Sequence, residues 1–287
     1  MSRGAVARMV VGGVVALAWA GTPAWGNALE IWGTIDGFGH AERGNFLQTG
    51  PGAVALEGYE FAAAVGPESA PAENVTAADF RWVDGAAMTH TAPMPWNPLG
   101  PAWSHDDPGP YASLAALETA YGPTNDFEYD LAIDGFGVVT AAIPGPPDLW
   151  PDRVPEFDDP DAFDAADPAG DLVVTFPAFT PPTMANLAWT RVRLFQGAVQ
   201  VWYERGDPTM TSVTIPGGTM APGVGYRAVV EYQSRYHTGS LTPIFPDSVT
   251  SFSWYHTTGY EFVALPAPGV AALLALAGAG LARRRRA

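Results

Sequence analysis

The chain has 287 residues, with 14 Arg, no Lys, no Cys and 30 acidic residues, for a formal net charge of −16. Without Cys it forms no disulfide and offers neither a thiol nucleophile nor a thiolate zinc ligand; without Lys it lacks Schiff-base chemistry and a P-loop lysine. Hydrophobic residues at 47% suffice for a packed core, and 32 Gly with 28 Pro predict many turns; the length suits about two domains.

Residues 1–26 read as a secretory signal peptide. Arg3 and Arg8 precede an apolar stretch of 12 residues, Met9 to Ala20, and Ala24-Trp25-Gly26 places small residues at the −3 and −1 positions of a cleavage site. A signal core has this length, whereas a spanning helix needs about 20 apolar residues.

The mature chain opens on β-like runs: Leu29 to Ile35, Tyr59 to Val65 and Ala78 to Val83. His90 to Pro110 holds six prolines together with Trp96 and Trp103, and is expected as a loop. Next, Leu114, Leu117 and Tyr121 fall on one face of a short predicted helix that Gly122 and Pro123 stop. Phe127, Tyr129, Leu131 and Ile133 alternate with Glu128, Asp130, Ala132 and Asp134, a period of two with one buried face. Asp134-Gly135 then predicts a tight hairpin into Phe136 to Ile143.

The composition shifts at 144–170, a Pro/Asp-rich stretch predicted as a linker between an N-terminal β module (27–143) and a second module (171–264). In the second module, strand-like runs sit at Leu187-Ala188-Trp189, Gln200 to Glu204 and Ser212 to Ile215. Met220-Ala221-Pro222-Gly223-Val224-Gly225-Tyr226 follows, and beyond it Tyr226, Ala228, Val230 and Tyr232 share one strand face while Arg227, Glu231 and Gln233 share the other. The apolar-x-Pro-Gly-x-x-Tyr element resembles that of fibronectin type III domains. The resemblance implies a β-sandwich over 171–264 with a structural tyrosine corner at Pro222, Gly223 and Tyr226, and it assigns no activity. The fold class expected is therefore all-β: two β-sandwich-like modules with one short helix, an apolar N-terminal signal and a C-terminal helix.

Residues 265–287 form a tripartite tail: Pro266-Ala267-Pro268-Gly269, an apolar run from Val270 to Ala282, and Arg283, Arg284, Arg285 and Arg286. Four arginines resist translocation, so the tail anchors the chain in the membrane or stops its export there. The tail resembles the PEP-CTERM sorting signal of exported bacterial proteins, with Ala267 where that family has Glu. The resemblance implies a membrane protease, exosortase, as processing partner, and a setting at the cell surface or in an extracellular polysaccharide matrix.

With both ends set aside, 30 acids face eight arginines, a balance of −22. Such a charge repels phosphate backbones, excludes nucleic acid as a partner, and suits cations. Asp158, Asp159, Asp161, Asp164 and Asp167 form the candidate calcium site, since hard cations take several oxygen ligands on a loop; a solvated acidic linker is the alternative. His105-Asp106-Asp107 is a second candidate for metal binding or base chemistry. Trp96 and Trp103, on stiff Pro-rich chain, are candidates for stacking on a sugar, or else for capping the core of the first module. No catalytic motif is legible: His-Glu-x-x-His and Gly-x-Ser-x-Gly are both missing. The reading is a non-enzymatic, exported surface or matrix protein of structural or adhesive role, with a carbohydrate-binding module and a secreted hydrolase as alternatives.

Overall fold

A computed structural model describes residues 35–67, 75–97, 102–122, 124, 126–134, 137–242, 245 and 248–265. The signal segment 1–26, the Gly135 turn and the sorting residues Pro266 to Gly269 and Arg283 to Arg286 lie outside the described residues. In chain order the strands are β1 (Ile35–Gln48), β2 (Val54–Pro67), β3 (Val75–Val83), β4 (Thr89–Met94), β5 (Trp96–Asn97), β6 (Ala102–Tyr111), β7 (Phe127–Ile133), β8 (Gly137–Ile143), β9 (Leu172–Thr175), β10 (Leu187–Gln196), β11 (Val199–Gly206), β12 (Ser212–Ile215), β13 (Gly225–Gly239) and β14 (Val249–Val263). The helices are α1 (Leu114–Tyr121) and α2 (Asp161–Asp164). The protein is all-β, as its patterning predicts. Among the described residues no helix is long and apolar enough to cross a membrane.

One sheet of eight strands, ordered β11-β10-β13-β14-β1-β2-β6-β5, runs through both halves of the chain. The halves meet where β14 lies parallel to β1, from Gly37 opposite Val249 to Gln48 opposite Tyr260. A four-stranded sheet, β4-β3-β7-β8, and a two-stranded sheet, β12-β9, complete the fold. The four-stranded sheet packs Phe80, Phe127, Tyr129 and Leu131 against Phe38, Phe61 and Val65 of the long sheet, forming a first core. The β12-β9 pair packs Val174, Val213 and Ile215 with Val192, Leu194, Ala228 and Val230, forming a second. β14 belongs to both, with Phe252 and Trp254 in the first core and Tyr260 and Phe262 in the second. The two expected modules are thus two sandwiches built on a shared sheet.

Local sequence accounts for most elements. β7 alternates buried and half-buried positions along its length, matching its period of two. The Ser113 hydroxyl accepts from the Ala116 N–H at 3.1 Å to cap α1. Gly122 ends the helix at φ 84°, where a Cβ would meet the Val83 carbonyl oxygen at 2.3 Å. Leu117 and Tyr121 are buried, as the helical spacing predicts.

Two expectations are corrected. The Pro-rich stretch from His90 to Pro110 forms β4, β5 and β6 rather than a loop. Pro93 lies in the edge strand β4, and Pro110 lies in β6 where its register with β2 shifts between Tyr111 and Asp107, so their missing N–H groups are not needed. The second correction concerns 144–170, which is no wet spacer. It lies along the inner face of β14 and buries Leu149, Phe157, Phe163 and Ala166. The buried Gln48 amide clamps the Phe157 backbone, donating to its carbonyl at 2.9 Å and accepting from its N–H at 2.8 Å. His256 Nδ1 bonds the Arg153 carbonyl at 3.0 Å, and the Thr258 hydroxyl donates to that of Pro155 at 2.5 Å. Composition misleads here because most of the acids are exposed while Leu149, Phe157 and Phe163 point in.

Phe163 is fully buried against Tyr260 and Phe262, with ring centroids at 5.7 and 4.9 Å. Phe163→Ala is expected to cost about 3–5 kcal/mol in urea unfolding. It should also open 144–170 to limited proteolysis, which a free linker would suffer in the wild type as well.

Candidate functional site

The predicted site residues are dispersed. Asp164 accepts from the Tyr260 hydroxyl at 2.7 Å, and Asp167 accepts from the Ala169 N–H at 3.0 Å. Among the described residues no three His, Asp or Glu side chains converge on a point that would hold a metal. The calcium site expected of Asp158, Asp159, Asp161, Asp164 and Asp167 is not formed, because α2 and the turn after it spread the carboxylates apart. Trp103 is 6% exposed in the first core and meets Trp96 edge-to-face at 4.7 Å. The pair therefore caps the core and presents no flat platform to a sugar. At the corner between β12 and β13, the Tyr226 hydroxyl accepts from the Ala221 N–H at 2.7 Å while Gly223 takes φ 72°. This corner, with β11-β10-β13-β14 facing β12-β9, gives the second half a fibronectin type III-like sandwich.

His105 and Asp107 enter a relay rather than a metal site. Tyr121 donates to Asp107 Oδ2 at 2.7 Å and Tyr111 donates to the same oxygen at 2.5 Å. The Tyr121 oxygen in turn stands 3.2 Å from His105 Nε2, which donates to it. Burial would raise the Asp107 carboxyl, but the two phenols and the Gly109 N–H hold it below the ordinary range. Burial lowers the His105 imidazole. The cluster fastens α1 to β6.

A buried pair escapes sequence reading. His40 Nε2 and Glu42 Oε1 stand 3.2 Å apart, 1% and 7% exposed, inside a box formed by Phe61, Phe127, Phe252 and Trp254. Both His40 nitrogens and Glu42 Oε2 lack a hydrogen-bond partner. Burial lowers the His40 imidazole to about 3. Burial, reinforced by Asp148 and Glu118, pushes the Glu42 carboxyl well above its usual range. Both shifts favour the neutral form of the side chain.

The opposite, outer face of the long sheet carries most of the positive charge. Strand alternation places Arg43, Arg191, Arg193, Arg205, Arg227 and Arg235 there, six of the eight arginines between residues 27 and 264. Glu57, Glu60, Asp106, Glu231 and Glu261 share the face. At its centre Glu231, with no exposed side chain, binds Arg191 through Nη2 and, at 2.9 Å, through Nε; its other oxygen accepts from Arg193 at 2.7 Å. Burial acts to raise the Glu231 carboxyl, but Arg191, Arg193 and Arg43 prevail and hold it at about 2. The Arg43 guanidinium lies over the Tyr255 ring at 5.3 Å, and that of Arg205 over Trp189 at 5.2 Å. The sequence signal for this cluster is the Arg-x-Arg spacing of 191 and 193, together with the shared face of Arg227 and Glu231.

Beside that cluster an open cleft of about 260 Å³ is lined by Arg43, Asn45, Glu57, Glu60 and Arg227, with Gly58 and Pro110 in its walls. Arg227 reaches across β14 and β1 to Glu57 at 3.2 Å, and its guanidinium lies against Gly259, where a Cβ would come within 2.4 Å of Nε. Gly58, at φ 151°, abuts Pro110, whose Cβ would stand 2.5 Å from an added methyl. The cleft draws from strands distant in sequence, β1, β2 and β13, which is why no linear motif marks it.

No family model matches the chain, and no curated protein matches it. Among solved structures, the chain is similar to a biofilm-associated protein's BSP domain at 11% identity and TM-score 0.21, covering 78% of this chain and 29% of that one. It is also similar to the chicken CNTN1 FN1–FN3 domains at 11% identity and TM-score 0.27, covering 81% of this chain and 66% of that one. The fold described above rests on the strand pairing, not on these likenesses.

Two substitutions test the electrostatics. The Glu42 carboxyl is shifted up, so its contribution to stability is complete below about 4.5 and is lost as pH rises through its folded value; His40, lowered to about 3, contributes above 6.5 and loses that as pH falls. Glu42→Gln mimics the protonated acid. It should raise Tm on the alkaline side, by about 2–4 °C per kcal/mol relieved, and leave the acid limb to His40. Glu231→Gln strands two arginines and is expected to cost about 3–5 kcal/mol in urea unfolding at neutral pH. Its deficit should shrink in acid, because the stability from Glu231 is present above 4.5 and lost as pH falls through about 2.

Proposed function

We propose that the chain is an exported structural or adhesive protein of the cell surface or extracellular matrix, carried out by its signal segment and processed or anchored through its Arg-terminated tail. The observation that carries this reading is the shared eight-stranded sheet. It locks two sandwiches into one slab without disulfides, and leaves a broad charged face outward. A rigid body with an open, mixed-charge face suits a load-bearing or contact role. The charge balance of −22 between the two ends favours solubility outside the cell and is unsuited to nucleic acid.

The same reading assigns no covalent chemistry. His40 and Glu42 are sealed among rings, and Asp107 is committed to two phenols. The processing partner would be an exosortase-like protease acting near Pro266, and the membrane would be met only through the C-terminal segment.

Cell fractionation with mass spectrometry of both termini tests the proposal. Surface or matrix material lacking residues 1–26 is expected. Loss of the tail near Pro266 would mean sorting, and an intact Arg tail in the membrane would mean anchoring. A cytosolic chain retaining Met1 and Ala287 would overturn the role.

A further inference from the structure

The cleft on the outer face has the chemistry of a ligand site, and Arg43 is its focus. Among the described residues Arg43 forms no ion pair and donates no hydrogen bond, although its Nε is buried. Glu60 stands directly opposite on β2 without pairing to it. Tyr255 offers its ring face to the guanidinium from one side, and none of the Arg43 N–H groups is bonded to a described residue. A buried guanidinium N–H without an acceptor is costly, and a planar carboxylate can take two parallel bonds from the fork. The other cation in the cleft, Arg227, is already committed to Glu57.

We propose that this cleft binds one carboxylate-bearing sugar, a single uronic-acid residue, with Arg43 receiving the carboxylate and Asn45, Glu57 and Glu60 receiving the hydroxyls. Size agrees: 260 Å³ is on the order of nine water volumes at about 30 Å³ each, room for a single six-membered ring. Charge selects the class. Two glutamates in the lining repel a doubly charged phosphate, while one guanidinium balances one carboxylate. Hydroxyls donate to carboxylate oxygens, so the acidic walls that oppose an anion serve a polyol. Gly58 and Gly259 keep the space clear, since a side chain at either would collide with Pro110 or with Arg227. The proposal rests on the extracellular reading above, which supplies the polysaccharide setting.

Calorimetric titration of the full chain at low salt, with trigalacturonate, maltotriose, glutamate and inorganic phosphate as probes, tests the site. Trigalacturonate alone is expected to bind, more weakly as salt rises. Arg43→Gln should weaken it at least about tenfold, and Asn45→Ala, which spares the Tyr255 contact, should weaken it less. Arg205→Gln, on the same face outside the cleft, should leave it unchanged, and equal Tm values would exclude unfolding as the cause. The proposal is overturned if trigalacturonate does not bind, if glutamate or phosphate binds as well, if Arg43→Gln binds like the wild type, or if Arg205→Gln weakens binding as much as Arg43→Gln. Failure of binding by a surface-located chain overturns the sugar site alone; binding by a chain found in the cytosol overturns the surface role alone.

Discussion

The parallel pairing of β1 with β14 is the contact on which the rest of the architecture depends. It joins chain segments about two hundred residues apart, from Gly37 with Val249 to Gln48 with Tyr260. Parallel neighbours require a long crossover, and here the crossover is nearly the whole protein. Without it the four-stranded and two-stranded sheets would each cover a separate partner. With it they stack on one face of one sheet, and the segment 144–170 fills the interval between them. Gln48 sits at the end of that pairing and clamps Phe157, so the strand contact and the covering segment are held by one side chain.

The two faces of the sheet solve different problems. The inner face is aromatic, and burial there shifts His40 and Glu42 toward their neutral forms. The outer face keeps charges ionised by pairing them. Glu231 stays an anion because two guanidiniums reach it, and they tolerate each other because it lies between them. An ion triad of this kind is weak as a net source of stability and severe when broken. Its location at mid-sheet makes the central strands intolerant of charge loss, while the neighbouring cleft keeps one guanidinium without a carboxylate.

That contrast gives the outer face its functional character. Arg191 and Arg193 are spent on the fold and Arg227 on closing the cleft wall. Arg43 sits between these commitments, oriented by Tyr255 and free at its edge. The glycines at 58 and 259 keep the adjoining volume open.

Local chemistry in the chain was sufficient for the all-β class, the strand β7, the helix around Leu117 and the corner at Tyr226, because each follows from the spacing of apolar residues or from one turn's backbone demand. Proline count failed for 90–110 because tolerance of proline depends on whether a strand lies at an edge, a property of the assembled sheet. Acid count failed for 158–167 because ligand convergence is set by where α2 and Tyr260 turn each carboxylate. The cleft was illegible for the strongest reason: Arg43, Glu60 and Arg227 become neighbours only through strand order, and pairing between distant strands is decided by which cores they can bury together, not by anything local to them.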